Sequence, residues 1–336
     1  PAAQATMVGI VDIPTFSRCL NRAGACMSYT VDRLLCALAL AFALLPVLPP
    51  AAAAQSVALS FDDGFDPREQ PLAAAWNGAI LDALEAAGVQ AILFPTGRRV
   101  DSDEGLRLVG DWGRAGHAIG NHTYAHRNFG AAAMTVEVFT ADIGKAQALL
   151  QGLPGWTPRL RFPYLKEGET PEKRDALRAW PREQGYGSGA VSIDASDWYY
   201  NSRFLEWRGQ HPTDDPAAWR AAYLDHLWDR ACYYDSLSVA VLGRSLPHVL
   251  LLHANAINAA FLPDVIAMFR ERGWKLVSPA EAWADPAYQL EPQTLPAGES
   301  HLWALARERG LPGLRYPAES DEYEKERVDR LVAAGD

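Results

Sequence analysis

The chain has 336 residues and a formal net charge of −10, with 49% hydrophobic and 21% charged residues. This composition excludes a disordered or fibrous chain and leaves ample apolar material for a core. The acidic balance argues against a nucleic-acid-binding protein, which normally carries a basic surface, and four cysteines are too few for a disulfide scaffold.

The N-terminal part of the chain resembles a targeting sequence. A short, weakly basic segment precedes the apolar run Leu34–Leu48, and an A-x-A cleavage pattern follows at Ala52 and Ala54. We therefore expect a signal peptide over residues 27–54, preceded by upstream, non-native residues 1–26. A secreted or periplasmic location follows from this expectation. The alternative is an uncleaved anchor, although the run is shorter than the roughly 20 residues of a comfortable membrane span.

Signal cleavage would leave Cys232 as the sole cysteine, which excludes an intrachain disulfide. Because it follows Ala231 and precedes Tyr233 and Tyr234, we expect it to be a buried structural thiol instead of a nucleophile.

After residue 55, short apolar segments alternate with segments of helical periodicity. The predicted strands are Val57–Phe61, Val89–Phe94, His117–Gly120, Leu160–Phe162, Ala190–Ile193, His248–Leu252 and Trp274–Val277. The predicted helices are Ala73–Ala87, Glu104–Ala115, Thr135–Leu150, Pro171–Gln184, Asp214–Tyr234, Leu262–Arg272 and Ser320–Ala334.

This alternation predicts an α/β fold whose parallel sheet is covered on both faces. A distorted (β/α) barrel with about seven parallel strands is the natural closure at this length. We expect the barrel to occupy residues 55–288. Residues 289–336 are predicted to form a C-terminal tail whose charged helix packs on the barrel, or alternatively binds a partner.

Barrel enzymes place their catalytic groups where strands end, and five sequence clusters lie there. The first is Ser60-Phe-Asp-Asp-Gly64, whose two carboxylates reach one site only if the strand has turned by Gly64. Its alternative is an acidic turn or helix cap. The second pairs His122 with His126, and this spacing places two imidazoles on one face of a helical turn. Its alternative is a chance pair of surface histidines.

Three further clusters are weaker when taken alone. Arg161-Phe-Pro-Tyr164 combines a rigid proline with a guanidinium that can hold a carboxylate, although an ordinary loop explains this cluster better when it is taken alone. Asp194-Ala-Ser-Asp-Trp198 places an aromatic ring beside acids, as in sugar-binding sites, or is a core Trp beside a solvated Asp. His253 directly follows the apolar strand that ends at Leu252. A lone histidine at a strand end is either structural or, on the rim of a barrel, part of the active site.

In this order, the five clusters resemble the motifs of the polysaccharide deacetylase (NodB-homology) family, carbohydrate esterase family 4. That family carries T/S-F-D-D-G, H-S/T-x-x-H, R-x-P-Y, D-x-x-D-W and Leu-x-His stretches. The resemblance covers roughly residues 56–285. It implies a distorted barrel and one metal ion, most commonly zinc, held by Asp63, His122 and His126.

The resemblance also implies the catalytic roles. Asp62 would be the general base that activates water, and His253 the general acid that protonates the leaving group. Arg161 would orient Asp62, and Asp197 would orient His253. The backbone N–H of Tyr164 would stabilise the oxyanion.

Trp198 and Leu251 would line the pocket for the acetyl methyl and the sugar. Leu165 follows Tyr164 where many relatives have glycine, and residues 199–247 are long and aromatic. Both departures bear on the shape of the groove and therefore on the substrate.

The leading expectation is a metal-dependent hydrolase that removes acetyl groups from N-acetylated glycans such as chitooligosaccharide or peptidoglycan. An O-acetyl esterase acting on xylan-type polymers would use the same chemistry. A cytoplasmic amidohydrolase of the allantoinase type fits the signal peptide and His253 less well. A non-catalytic glycan-binding relative would not need the base, the ligands and the acid together.

Overall fold

The computed structural model describes residues 55–318 and 320–333, which all fall within one compact unit. The predicted leader and signal peptide lie outside the described residues, so they remain predictions. Among the residues described, no helix is long and apolar enough to cross a membrane.

Seven parallel strands form the central sheet, in the spatial order β6-β4-β3-β2-β1-β8-β7, and a short strand β9 pairs with the start of β1. A separate antiparallel pair joins β5 and β10. The strands are β1 Ser56–Asp63, β2 Ala91–Pro95, β3 Ala118–Asn121, β4 Trp156–Leu160, β5 Lys166–Gly168, β6 Gly187–Ser188, β7 Ile193–Asp194, β8 His248–His253, β9 Lys275–Leu276 and β10 Ala297–Gly298.

Chain connectivity requires this sheet to curl. Seven flat strands spaced about 4.8 Å apart would separate β6 from β7 by about 29 Å. The five residue steps from Ser188 to Ile193 reach at most about 18 Å. The two edges therefore approach each other around an incomplete barrel. The expected distorted (β/α) barrel of about seven parallel strands is confirmed.

Helices follow most strands and cover the sheet. They are α1 Ala73–Ala87, α2 Gly97–Val100, α3 Asp103–Arg114, α4 Val136–Leu150, α5 Pro171–Glu183, α6 Asp197–Gln210, α7 Ala217–Leu242, α8 Ala256–Glu271, α9 Pro279–Trp283, α10 His301–Glu308 and α11 Lys325–Ala333.

Several helices begin and end where the sequence predicts, because capping residues lie at their ends. α1 ends at Gly88, whose φ of 62° is the left-handed conformation that glycine adopts without a Cβ clash. α4 begins after Thr135, whose side chain accepts a hydrogen bond from the Val138 N–H.

Other elements differ from the prediction. The expected helix Asp214–Tyr234 is observed as Ala217–Leu242, and α6 is an additional helix whose first two residues are Asp197 and Trp198. The expected strand Leu160–Phe162 lies earlier, at Trp156–Leu160. Two-residue strands such as β6 are too short to show a periodicity in the sequence.

The core surrounds β1, whose central residues are buried on both faces of the strand. Phe61 is fully buried and its ring packs against Trp112 at a centroid distance of 5.2 Å. Truncating such a buried aromatic costs about 3–5 kcal/mol of stability. Ser60 interrupts this apolar run, and its hydroxyl is used at the site described below.

The C-terminal residues form part of this core. β10 pairs with β5, and α10 is buried along nearly its whole length, including Leu302 and Trp303. Val328 of α11 is also fully buried. The expectation that Cys232 is a buried thiol is wrong, because its position on α7 faces solvent and it is exposed.

Candidate active site and metal centre

The C-terminal ends of the central strands bring the predicted catalytic residues together. Asp62 near the end of β1 is the register partner of His253 at the end of β8, and Asp63 is the partner of Pro95 on β2. Because these strands are parallel, their carboxyl ends share one rim of the barrel.

The chain turns at Asp63, one residue earlier than expected. Asp63 has a φ of 76° and Gly64 has a φ of 74°. This left-handed backbone lets the two neighbouring carboxylates face one site, where a regular strand would place them on opposite faces. The hydroxyl of Thr96 donates a hydrogen bond to Asp63 Oδ1 at 3.0 Å and fixes its orientation.

Asp63, His122 and His126 form a cluster whose nearest ligand atoms all lie within 4.8 Å of one another. His126 Nε2 lies 3.7 Å from Asp63 Oδ1, and the two imidazole centroids are 4.9 Å apart. Zinc holds nitrogen and oxygen ligands at about 2.0–2.2 Å, which separates neighbouring ligand atoms by about 3.4 Å in a tetrahedral site. The cluster therefore has dimensions close to those of a zinc site.

The two histidines do not share a helical turn, so that expectation is wrong. They lie in an irregular loop in which Thr123 has a φ of 62° and His126 a φ of 53°. The Asp142 carboxylate accepts hydrogen bonds from the N–H groups of Tyr124 and Ala125 and holds this loop. The left-handed backbone at Thr123 and His126, and not helical periodicity, brings the two imidazoles together.

The protonation states also suit a metal. His122 Nδ1 lies 2.8 Å from the Arg161 carbonyl, so the Nδ1–H donates there and Nε2 keeps its lone pair for a cation. Burial lowers the pKa of His122 and of His126 to about 4, which leaves both imidazoles neutral at pH 7. Burial opposes ionisation of Asp63, but the nearby histidines, His253 first, lower its pKa to about 2. A carboxylate and two neutral imidazoles form a donor set that zinc accepts.

Asp62 is buried beside a guanidinium. Arg161 Nη1 donates to its two oxygens at 3.0 and 3.3 Å, and His122 Nε2 lies 3.5 Å from Oδ2. Arg161 is itself held by the Ser60 hydroxyl at 3.0 Å and by the Gly189 carbonyl. Burial raises the pKa of Asp62 to about 6, although Arg161 acts to lower it. The carboxylate is thus ionised at neutral pH yet basic enough to accept a proton.

Asp197 holds His253 from the opposite side. Asp197 is fully buried, and its Oδ1 lies 2.6 Å from His253 Nδ1. Its Oδ2 accepts hydrogen bonds from the His253 N–H, Asn255 and Asn258 at 2.8–3.0 Å. Burial acts against the charged imidazole, but Asp197 raises the pKa of His253 to about 10. His253 is therefore protonated at neutral pH, with Nε2–H as its remaining donor.

The three predicted lining residues lie around this rim. Tyr164 is half-exposed, and its ring is 4.7 Å from that of His126. Trp198 is 42% exposed beside Asp197 at the start of α6, and its ring contacts Tyr199. Leu251 is buried on β8, two residues before His253 and therefore on the same strand face.

Five supporting residues have no assigned role in the sequence-based prediction. Each of them positions a site group or its loop: Ser60, Thr96, Asp142, Asn255 and Asn258. Asn255 and Asn258 carry a recognisable signal, because they follow His253 at the start of α8, where Asn255 caps the helix. Asp142 on α4 carries none, since only the folded chain brings it to the histidine loop.

Comparisons with known proteins show which family this chain is similar to. Residues 50–180 match the family model described as "Polysaccharide deacetylase". A peptidoglycan-N-acetylglucosamine deacetylase of Bacillus cereus is 34% identical over 143 residues, which cover 42% of this chain and 46% of that protein. The chain thus spans about half the length of the curated relative it matches.

Two solved structures are among the similar ones. A polysaccharide deacetylase from Bacillus cereus has 23% identity and a TM-score of 0.49, covering 67% of this chain and 91% of that one. A family 4 carbohydrate esterase from Streptomyces lividans, in complex with acetate, has 22% identity and a TM-score of 0.45, covering 69% and 97%.

The family model spans the first three motifs, from Asp62 to Tyr164, and ends before Asp197 and His253. The match to this model and to the curated relative confirms the resemblance of the chain to the polysaccharide deacetylase family.

Proposed function

We propose that this protein is a metal-dependent hydrolase that removes acetyl groups from N-acetylated glycans, with zinc as its metal. The observation that carries the proposal is the adjacency of Asp62 and His253 at two paired strand ends, beside the Asp63, His122 and His126 cluster. One rim thus presents a base, an acid and a set of metal ligands.

Asp62 is proposed as the general base. Its carboxylate would take a proton from the water that attacks the acetyl carbon. A pKa near 6 matches this task, because the group is ionised at pH 7 but still has affinity for a proton. Arg161 keeps the carboxylate oriented through its two contacts with Asp62.

His253 is proposed as the general acid. Its Nδ1–H is directed at Asp197, so the proton on Nε2 is available to the leaving nitrogen of the sugar. Because Asp197 favours the imidazolium, the acid form dominates at neutral pH.

Charge on the carbonyl oxygen must be stabilised as water attacks. When bound by Asp63, His122 and His126, a divalent cation supplies a Lewis acid that polarises the acetyl carbonyl and acidifies water. The backbone N–H of Tyr164 is proposed as the second oxyanion donor. Trp198 and Leu251 are proposed to contact the sugar and the acetyl methyl.

The proposed substrate is a neutral, N-acetylglucosamine-containing glycan. A relative named as a peptidoglycan-N-acetylglucosamine deacetylase supports this class. The net charge of −10 also favours a neutral glycan over a strongly anionic polymer.

Acetate release from a panel tests the substrate class. The zinc-loaded protein is incubated with chitooligosaccharide, peptidoglycan or acetylated xylan, and Asp62→Asn is the inactive control. Release from the first two supports an N-deacetylase, whereas release from xylan alone would favour the O-acetyl esterase. No release above the control from any polymer would contradict the proposed activity.

Export is proposed from the apolar run Leu34–Leu48 and the A-x-A pattern that follows it. Expression of the full chain with a C-terminal tag in a bacterial host, followed by fractionation and N-terminal sequencing, tests this. A cytoplasmic protein that keeps residues 27–54 would contradict it.

A further inference from the structure

A short C-terminal segment connects the chain at the start of β5 to the chain that leads into β7. We call Ala297–His301 the clasp. Its Glu299 N–H donates to the Leu165 carbonyl at 2.9 Å, and its His301 N–H donates to the Val191 carbonyl at 2.7 Å. The clasp therefore connects two segments of the chain. One contains Tyr164, and the other leads through β7 to Asp197; both carry proposed site groups.

Side chains strengthen both attachments of the clasp. Glu299 is buried and forms an ion pair with Lys166, the first residue of β5. Ser300 is fully buried, and its hydroxyl donates to the Ser192 carbonyl at 2.9 Å. These contacts lie inside the molecule, where a hydrogen bond or an ion pair is not weakened by competing water.

The backbone on the Tyr164 side requires such support. Tyr164 has a φ of 56° and Leu165 a φ of 54°, so two consecutive non-glycine residues adopt the left-handed conformation. This conformation is disfavoured for residues with a Cβ and persists only where surrounding contacts enforce it. The clasp supplies such contacts at the Leu165 carbonyl and at the next residue, Lys166.

The fit between the clasp and this loop depends on one glycine. Gly298 has a φ of 109°, and a Cβ at this position would lie 1.9 Å from the Leu165 carbonyl oxygen. Only a residue without a side chain can therefore approach Leu165 this closely.

We propose that the clasp is a positioning element of the active site and that Glu299 is its positioning residue. It holds Tyr164 and Leu165 in the left-handed conformation, which orients the Tyr164 N–H and seats the Tyr164 ring against His126. This role rests on the proposed deacetylase function. The clasp lies beyond residues 50–180, which match the family model, and the proposal gives it a role in positioning the active site.

Gly298→Ala is the main test, and Gly310→Ala is its matched control. Gly310 is also left-handed, with a φ of 71°, but a Cβ there would meet no atom within 4 Å. Both variants therefore share the strain of a left-handed alanine, and only Gly298→Ala displaces Leu165. The assays are zinc content, acetate release from an N-acetylglucosamine tetramer, and amide hydrogen exchange of the full-length protein.

We expect Gly298→Ala to lower kcat about 10- to 100-fold relative to Gly310→Ala, as displacing a positioned group by about 1 Å does. KM and zinc content should stay close to those of the control. Amides of residues 163–168 should exchange faster in Gly298→Ala alone. A structural defect spread over the whole molecule would instead accelerate exchange everywhere and reduce zinc content.

Two milder variants keep the test decisive if Gly298→Ala does not fold. Glu299→Gln removes the ion pair with Lys166 and should give a smaller change of the same kind. Ser300→Ala removes only the bond to Ser192, so faster exchange should appear at residues 191–196 and not at 163–168.

Unchanged exchange at residues 163–168 in Gly298→Ala and Glu299→Gln would overturn the proposal. Faster exchange with a kcat equal to that of Gly310→Ala would overturn it as well, because the loop would then be loosened without consequence. If the wild-type protein releases no acetate, the proposed function fails, and the exchange data alone decide whether the clasp holds the loop.

Discussion

The two halves of the candidate site are built in different ways. The proposed metal-ligand half consists of Asp63, the last residue of β1, and of His122 and His126 in the loop after β3. Two of these three residues have a left-handed backbone. The proposed proton-donor half, Asp197 and His253, lies at the start of helix α6 and the end of strand β8.

The hydrogen bonding of the two halves also differs. Asp197 is fully buried and accepts four hydrogen bonds, so the proton-donor half is assembled within the protein itself. In the metal-ligand half, Asp63 and His126 approach only to 3.7 Å, and their side chains are about a quarter exposed. Their ligand atoms converge without bonding each other, which is the arrangement that a cation completes. We infer that only the metal-ligand half depends on the ion for its order.

Removal of one ligand should have the largest effect. His126→Ala leaves two ligands and should abolish zinc binding, with activity falling to the background of the metal-free protein. Zinc per chain and acetate release measure this. His211→Ala, a histidine near the end of α6, is the control. An active, zinc-free His126→Ala protein would refute the metal assignment.

Substitution of each of the adjacent carboxylates, Asp62 and Asp63, separates the role of general base from that of metal ligand. Asp62→Asn should reduce kcat toward the upper end of the about 10²- to 10⁴-fold range of acid–base catalysis, because an amide cannot accept the proton. Zinc should stay bound. Asp63→Asn should lose zinc as well as activity. Equal zinc loss in both variants would mean that Asp62 is a metal ligand and not the general base.

Much of this geometry follows from the sequence. Apolar runs that end in polar residues place Asp62 and His253 at one rim, because parallel strands covered on both faces must be apolar along their length. The resemblance to the family supplies their roles and those of Asp63, His122 and His126. The barrel and the ends of helices α1, α3, α4 and α5 could also be predicted from the sequence pattern.

The remaining features depend on tertiary contacts. Left-handed backbone at Asp63 and His126 is not encoded by a glycine, so a helical turn is the natural but wrong expectation for the histidine pair. The clasp also has no sequence signal, since β5 and β10 are two to three residues long and nearly 130 residues apart. Contacts of this kind are set by the closure of the barrel.

The proton-donor half should respond to a change of charge at Asp197. Asp197→Asn removes the main interaction that raises the pKa of His253, so that pKa should fall from about 10. The imidazolium would then be lost at lower pH, and the alkaline limb of the kcat profile should move down the pH scale. We expect kcat at neutral pH to fall about 10²-fold, the lower end of the range for a proton donor, because His253 itself remains.

An NMR titration of His253 in the zinc-stripped protein provides the direct measurement. The wild-type imidazole should stay protonated up to about pH 10 and the variant should titrate earlier. An unchanged titration would show that the carboxylates of Asp62 and Asp63, and not Asp197, set the charge of His253.

The smallest expected effect lies one contact further out. The Tyr223 hydroxyl donates to Asn258 Oδ1 at 2.7 Å, and Asn258 in turn donates to Asp197. Tyr223→Phe leaves a buried acceptor without its donor and should cost about 1–3 kcal/mol of stability. Thermal unfolding measures this loss, and Tyr323→Phe at the surface is the control. Because Asp197 keeps all four hydrogen bonds, kcat should change at most a few-fold. A large loss of kcat without a loss of stability would mean that Asp197 is held mainly through Tyr223 and Asn258, although it accepts four hydrogen bonds.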